Sequence, residues 1–307
     1  MNIFMGAMRD IVGRHCITPQ QATPIAGLAL HRTGDTVHPG HLVYNPRILV
    51  VLEGSKTVGL GELSFNVGAD HFLVVTVDLP VTTQIHAAEN GERHMAFTLN
   101  LDRALLSEVL QHVAALPVPA TPPAGLTRLP MTTSLLEPLQ RLLALLDAPA
   151  EIDFLSPLIL REIYFRLLRG PAREVLSQFA LNSSHVTRIS RVTGWIKLHY
   201  AASVKIEYLA DMAGMSVTSF HRHFKEITLL TPLQYRTQIR LQAARRMLVS
   251  EGETAGVVGL KVGYESQSQF SRDYKRKFGA APASDAARLS KADGRHQPHS
   301  VRTPPPK

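Results

Sequence analysis

The chain has 307 residues, of which 45% are hydrophobic, so it is long enough for two ordinary domains and too apolar for a single disordered chain. Its one cysteine, Cys16, excludes an intramolecular disulfide and a thiolate zinc cluster, and we expect an inert thiol in a reducing compartment. The first residues lack an apolar run of signal-peptide length and no apolar stretch could span a bilayer, so the sequence predicts a cytoplasmic protein with no membrane partner.

The net charge of +8 is unevenly distributed along the chain. Residues 1–182 carry a net charge of −3, residues 183–290 carry +8 and residues 291–307 carry +3. A basic C-terminal third indicates a polyanionic partner. Charge alone does not distinguish DNA, RNA and an anionic membrane.

Short β-strands are predicted between Arg47 and Leu101, because segments rich in β-branched and aromatic residues alternate with turn residues. The predicted strands are 48–52, 56–60, 63–67, 72–77, 81–85 and 95–101. Residues 18–44 are expected to add a strand or an arm. Many short strands at this spacing predict a small β-barrel or a sandwich.

Helices follow the predicted strands. Residues 102–115 have a helical pattern, and residues 116–125 contain four prolines and predict a loop or linker. Six leucines then form a narrow helical seam: Leu135, Leu136, Leu139, Leu142, Leu143 and Leu146. A second apolar helix is predicted over 154–169. These two helices either pack on their own barrel or form a dimer seam.

The basic third is predicted to be helical nearly throughout, with a first helix over 184–200. Thr231 and Gln234 form a capping-box pattern around Pro232, which predicts a helix running to about Ser250. Proline and basic residues without an apolar pattern predict a disordered tail from residue 290.

Two of these helices have an aromatic side and a polar side. Phe220 and Phe224 are four residues apart, as are Phe270, Tyr274 and Phe278, so each set lies on one inward stripe. The opposite sides carry hydrogen-bonding and basic residues. A pair of helix-turn-helix motifs would place these sides in a DNA major groove about 12 Å wide.

Three segments carry a resemblance to a known family: GMSVTSFHRHFKE, TPLQYRTQIRLQAARRML and VGYESQSQFSRDYKRKFGAAP. Over residues 186–282 the chain resembles the DNA-binding domain of AraC-type transcriptional regulators. Residues 43–101, including VYNPRILVVLEGSKTVGLG, are similar to a cupin-like N-terminal domain of that family. The resemblance implies operator or promoter DNA, RNA polymerase and a small-molecule effector as partners, and a homodimer.

The expected fold is therefore α+β, with a cupin-like β-barrel and a helical hairpin followed by an all-α domain with two helix-turn-helix motifs. The predicted boundaries are 1–115 for the barrel sensor domain and 116–182 for the linker and dimerisation helices. The DNA-binding domain is predicted over 183–289 and the disordered basic tail over 290–307.

The resemblance also assigns DNA contacts residue by residue. In the first motif the base-reading positions are Thr218, His221 and Arg222, with Lys225 near phosphate. In the second they are Gln267, Ser268, Gln269, Ser271 and Arg272, with Lys275 near phosphate. These positions largely coincide with the outward faces found from helical periodicity.

The chain departs from the family pattern at three places. Gly256 and Gly259 stand in the helix before the second motif, where each costs roughly 0.5–1 kcal/mol, so a loose brace is expected there. The tyrosine that often follows the position of Pro282 in the family is absent, so the sequence does not determine whether the domain's last helix forms. Protonation of His221, beside Arg222, could raise DNA affinity below about pH 6.5.

Histidines among the strands raise the alternative of a cupin-type metalloenzyme with an accessory nucleic-acid-binding module. His38, His41, His86 and His94 are the candidates, but no histidine pair with a following glutamate has cupin spacing, and no H-E-x-x-H motif occurs. No P-loop, nucleophile elbow or dinucleotide fingerprint is present. We therefore expect no metal, no cofactor and no enzymatic activity. A third alternative is nucleic-acid binding without sequence preference, and the effector-binding residues stay open.

Overall fold

The computed structural model describes residues 2–34, 37–87, 93–113, 122–250 and 253–293. The chain divides into two compact units. The N-terminal unit contains Met1–Leu198 and Val204–Tyr235, and the C-terminal unit contains His199–Ser203 and Arg236–Lys307.

Ten strands of the N-terminal unit form two antiparallel sheets. They are β1 (Gln20–Ala22), β2 (Leu28–Thr33), β3 (Val37–Tyr44), β4 (Arg47–Glu53), β5 (Ser55–Leu60), β6 (Leu63–Val67), β7 (His71–Val75), β8 (Leu79–His86), β9 (His94–Asn100) and β10 (Leu126–Pro130). One sheet has the order β1-β2-β9-β4-β7-β10 and the other β3-β8-β5-β6. The α+β class is confirmed, but the sheets do not close into one barrel.

The strands follow the hydrophobic pattern of the sequence. Lys56, Val58 and Leu60 of β5 are buried and alternate with partly exposed residues, as expected for a strand with one covered face. The central strand β4 is buried continuously from Ile48 to Leu52. It needs apolar residues on both sides, because helices cover one face of its sheet and the second sheet covers the other.

Five helices complete the sheet-rich part of this unit: α1 (Asn2–His15), α2 (Arg103–Leu110), α3 (Thr133–Ala144), α4 (Ile152–Arg169) and α5 (Arg173–Ala180). The leucine seam lies on α3 and the short 3-10 turn after it, and its side chains are buried in the same core as α1 and α4. The seam therefore packs within its own unit. Helices α1 and α5 and strand β10 were not predicted from the sequence.

Seven helices form the basic third: α6 (His185–Leu198), α7 (Ile206–Ala213), α8 (Val217–Thr228), α9 (Pro232–Ser250), α10 (Ala255–Lys261), α11 (Gln267–Phe278) and α12 (Pro282–Asp293). The predicted capping box of α9 is confirmed. The Thr231 backbone N–H donates to Gln234 Oε1 at 2.9 Å, and the Gln234 N–H donates to Thr231 Oγ1 at 3.3 Å. The predicted tail starts too early, because α12 continues to Asp293, and residues 294–307 lie outside the described part.

Candidate nucleic-acid interface

The first helix-turn-helix motif consists of α7 and α8. Helix α7 ends at Gly214, whose left-handed backbone (φ 60°) turns the chain sharply. Ser216 then caps α8, with its Oγ accepting from the Ser219 N–H at 3.3 Å. Phe220 and Phe224 are fully buried, with ring centroids 5.4 Å apart, and hold α8 on the core of the N-terminal unit.

The predicted contacts of this motif all lie on the other side of α8. Thr218, His221, Arg222 and Lys225 are exposed. This arrangement follows from helical geometry, because residues at positions between the aromatic stripe face away from the core. The structure thus presents one hydroxyl, one imidazole and two cations together on the free face of a capped helix.

A buried histidine that the sequence did not identify as functional orients Arg222. His223 is 4% exposed, and its Nε2 lies 3.3 Å from Arg222 Nη2 while its Nδ1 lies 2.9 Å from Glu226 Oε2. Because a guanidinium can only donate, Nε2 accepts and the proton on Nδ1 is donated to the carboxylate. The ring also stacks on His185 with centroids 3.9 Å apart. The spacing of His223 from Phe220 and Phe224 already places it on the inward stripe.

The second motif consists of α10 and α11. Ser266 caps α11 by accepting from the Gln269 N–H at 3.4 Å. Phe270 and Tyr274 are fully buried and Phe278 is half-buried, and neighbouring rings in this series have centroids 5.6 and 4.5 Å apart. The predicted aromatic stripe is therefore the face by which α11 packs in the C-terminal unit.

The predicted contacts of the second motif lie on the outer side of α11. Gln267, Ser268, Gln269, Arg272 and Lys275 are exposed, whereas Ser271 is half-buried. In the described part of the chain, neither Arg222 nor Arg272 forms a salt bridge with a carboxylate. Both guanidinium groups therefore keep donors for the guanine edge or for phosphate.

Two glycines explain how α10 and α11 approach each other. Gly263 has φ 91°, and a Cβ there would meet Ala201 O at 2.3 Å, so only glycine fits this turn. Gly259 is buried, and a Cβ there would lie 3.1 Å from the Phe270 ring. The glycine that suggested a loose brace thus allows close packing of α10 on the aromatic stripe.

The last helix is anchored by a buried carboxylate. Asp285 of α12 has a side chain with 0% exposure and accepts from Arg245 Nε at 2.8 Å, Tyr274 Oη at 3.0 Å and Arg288 Nη2 at 2.7 Å. Burial raises the pKa of this carboxyl, but the hydrogen bonds outweigh it, so the pKa is lowered overall. Asp285 therefore ties α12 and α9 to α11.

Two of the candidate metal-binding histidines contact threonines of neighbouring strands. His41 Nδ1 lies 3.2 Å from Thr82 Oγ1, and His86 Nε2 lies 3.0 Å from Thr57 Oγ1. His94 is buried, and the side chain of His38 lies outside the described part. Within the described ranges, no group of three or more histidine, cysteine or acidic side chains could hold a metal ion.

In the same ranges, no helix has the length and apolar character needed to cross a bilayer.

The positive charges on α8 and α11 lie on helices that pack by their aromatic sides and present their polar sides to solvent. This arrangement suits the phosphates and base edges of a nucleic acid.

Comparison with known proteins agrees with this geometry. Residues 24–175 match the N-terminus of AraC-type transcriptional regulators, and residues 209–288 match a helix-turn-helix domain. The HTH-type transcriptional activator RhaS of Escherichia coli O1:K1 / APEC is 28% identical over 149 residues, which are 48% of this chain and 53% of RhaS. RhaS of Escherichia fergusonii is 28% identical over 148 residues, or 48% and 52% of the two chains.

The chain thus spans about half the length of the curated relatives it matches. Among solved structures, ToxT of Vibrio cholerae strain SCE256 with a bound unsaturated fatty acid has a TM-score of 0.52 at 12% identity, covering 84% of this chain and 93% of ToxT. That likeness shows the fold. With the two domain matches in this order, the chain belongs to the AraC-type transcriptional regulators, a family of regulators and not of enzymes.

Proposed function

We propose that this protein is a cytoplasmic, sequence-specific DNA-binding regulator that activates transcription in response to a small molecule. It would bind operator or promoter DNA through α8 and α11 and contact RNA polymerase. The observation that carries this proposal is that two capped helices bury their aromatic stripes and leave nine of the ten predicted DNA contacts exposed, with Ser271 half-buried.

Substitutions at Arg272 and Lys275 distinguish base-specific contacts from general attraction to phosphate, since both side chains are exposed on α11. A bound duplex is first selected from a random pool. Arg272→Ala is expected to cost about 1–3 kcal/mol on that duplex and to relax preference at one base pair. Lys275→Ala is expected to weaken binding to every duplex and to lower the salt slope by about one.

The matched control is Arg276→Ala on the same helix. Its side chain is 77% exposed and is paired with Asp273 at 2.7 Å, so it should change base preference little. If Arg272→Ala and Lys275→Ala weaken selected and random duplexes by the same factors, binding lacks sequence preference. The regulator proposal would then be wrong.

The effector and activator parts of the proposal are supported by relatives. ToxT was solved with an unsaturated fatty acid, and RhaS is a transcriptional activator. In this chain the sheets and helices of residues 1–182 would form the sensor. Competition binding with and without a metabolite panel tests effector response, and a reporter fused to the selected duplex tests activation.

For the homodimer, we propose the outer face of α4 in place of the buried leucine seam. Phe154 and Leu158 are 76% and 52% exposed and one helical turn apart. Asp153 lies in the first turn of α4 and Arg169 in its last, so an antiparallel pair of α4 helices would bring opposite charges together. Sedimentation of Phe154→Asp/Leu158→Asp should give a monomer, whereas Leu198→Asp, also at an exposed leucine, should not.

A further inference from the structure

A nearly buried lysine lies on the inner face of the four-stranded sheet. Lys56 is 9% exposed, although the next inward residues of β5 are Val58 and Leu60. Its Nζ lies 5.6 Å from the centroid of the Tyr44 ring, and Arg47 Cζ lies 5.3 Å from the same centroid. Two cations are thus held next to one buried aromatic ring.

The facing sheet contributes two imidazoles, of which His31 is half-buried and His94 is buried. His31 Nε2 lies 3.1 Å from Thr98 Oγ1, whereas His94 is 1% exposed and neither of its ring nitrogens has a hydrogen-bond partner. The pKa values of both histidines are lowered to about 4, first by burial and next by the charge of Lys56. Lys56 is therefore within electrostatic reach of both rings, which are neutral at physiological pH.

This cluster is made of His31, Tyr44, Arg47, Lys56 and His94, none of which carries a carboxylate. In the described part of the chain no carboxylate forms an ion pair with Lys56 or Arg47. The Tyr44 hydroxyl is buried without a partner as well. Arg47 Nε donates to the Asn45 carbonyl at 3.2 Å, so Lys56 is the cation of the cluster that a bound anion would neutralise.

Several inward positions of the two sheets carry small residues. On β9, Ala96 and Thr98 alternate with the helix-facing Met95, Phe97 and Leu99, so they face the other sheet. On that sheet, Gly40 pairs with Thr83, which lies opposite Val58. These inward positions therefore carry short side chains.

We propose that this inter-sheet cluster binds the carboxylate of a small organic acid, which is the effector of the regulator. This inference rests on the effector response proposed above. Lys56 and Arg47 supply the opposite charge, the Tyr44 hydroxyl and a His94 N–H donate hydrogen bonds, and Val58 contacts the apolar part of the acid. A neutral ligand would leave Lys56 without an opposite charge.

The cluster also has a path to α6 and to the start of α9, the helices on either side of the first helix-turn-helix motif in the chain. Arg47 interacts electrostatically with Asp78. The Asp78 carboxylate accepts from Lys197 of α6 at 2.6 Å, and its carbonyl accepts from the Tyr235 hydroxyl, in the first turn of α9, at 2.7 Å. A bound carboxylate would compete with Asp78 for Arg47 and so change the charge balance beside α6 and α9.

The test uses calorimetric titration and thermal unfolding of the full chain with decanoate and benzoate as probes. Decan-1-ol and benzyl alcohol are their neutral counterparts, and inorganic phosphate is the third arm. We expect at least one acid to bind saturably and to raise the unfolding temperature, with its alcohol at least tenfold weaker. Lys56→Met and Tyr44→Phe should each weaken the acid tenfold or more, whereas Lys205→Met, which removes an exposed lysine, should leave it unchanged.

The proposal would be overturned by no saturable binding of either acid, by equal binding of an acid and its alcohol, or by full retention of binding in both variants. Binding of phosphate alone would also overturn it. Tyr44→Phe keeps the ring, so it remains informative if Lys56→Met does not fold. DNA binding is measured separately on selected and random duplexes, so loss of sequence preference with intact acid binding would reject the regulator proposal and not this site.

Discussion

Replacing Asp285 by Asn is expected to destabilise the C-terminal unit by about 3–5 kcal/mol, the usual cost of removing one partner of a buried ion pair. Asp285 has no exposed side-chain area, and Arg245, its main partner, is only 14% exposed. The amide keeps the shape of the carboxylate but leaves the guanidinium without its charge. Since small domains have about 5–15 kcal/mol of total stability, this loss should partly unfold α11 and α12.

The assay is urea unfolding followed by circular dichroism, with hydrogen exchange of α11 peptides to locate the loss. Arg288→Ala is the matched control, because Arg288 contacts the same carboxylate but is 63% exposed and should contribute less than about 1 kcal/mol. Asp285 has a lowered pKa, so its contribution is present above the unfolded pKa of about 3.9 and is lost as pH falls below it. Equal effects of Asp285→Asn and Arg288→Ala at pH 7 would refute the reasoning.

Three further predictions concern the N-terminal unit. His223→Leu should relax preference at one base pair, because Arg222 loses the imidazole nitrogen that accepts its hydrogen bond. Since Arg222 keeps its charge, binding to random duplexes should change less than about twofold. Equal losses of affinity for selected and random duplexes in competition binding would contradict this role of His223. Between pH 6.5 and pH 4 the unfolded His94 binds a proton and the buried His94 does not, so the protein loses stability as the pH falls. His94→Gln should reduce this loss by up to about 3 kcal/mol. Urea unfolding at pH 7 and pH 5 measures the difference, and an unchanged pH dependence would count against the prediction. Leu139→Ala should cost about 2–5 kcal/mol in the same assay at pH 7 and leave the sedimentation coefficient unchanged, and a shift to monomer would restore the seam as a dimer contact.

Local signals in the sequence were sufficient for much of the DNA-binding region. The four-residue spacing of Phe220 and Phe224 predicted which face of α8 is buried, and the Thr231 to Gln234 pattern predicted where α9 begins. Helical periodicity and capping act within a few residues, so they can be read without knowing what packs against the helix. The exposed faces of α8 and α11 follow from the same spacing.

Elements that depend on distant partners were missed. Helix α1 has glycines at positions 6 and 13 and a weak local preference, but Met8 and Val12 are fully buried in the core. Strand β10 follows a proline-rich segment and exists because Leu126 to Pro130 pairs with β7. Propensity is a weak guide where tertiary contacts provide the stability.

By itself, the sequence determined the family, the α+β class, the two helices with buried aromatic stripes and the residues that these helices expose, because these depend on short-range spacing and a specific motif. Only the tertiary structure decided that the leucine seam is internal, that His223 contacts Arg222, and that Lys56 lies within electrostatic reach of His31 and His94 on the other sheet. Which face of a strand points inward, and which side chain it meets there, depends on register and on residues far away in the chain, and neither is encoded in local periodicity.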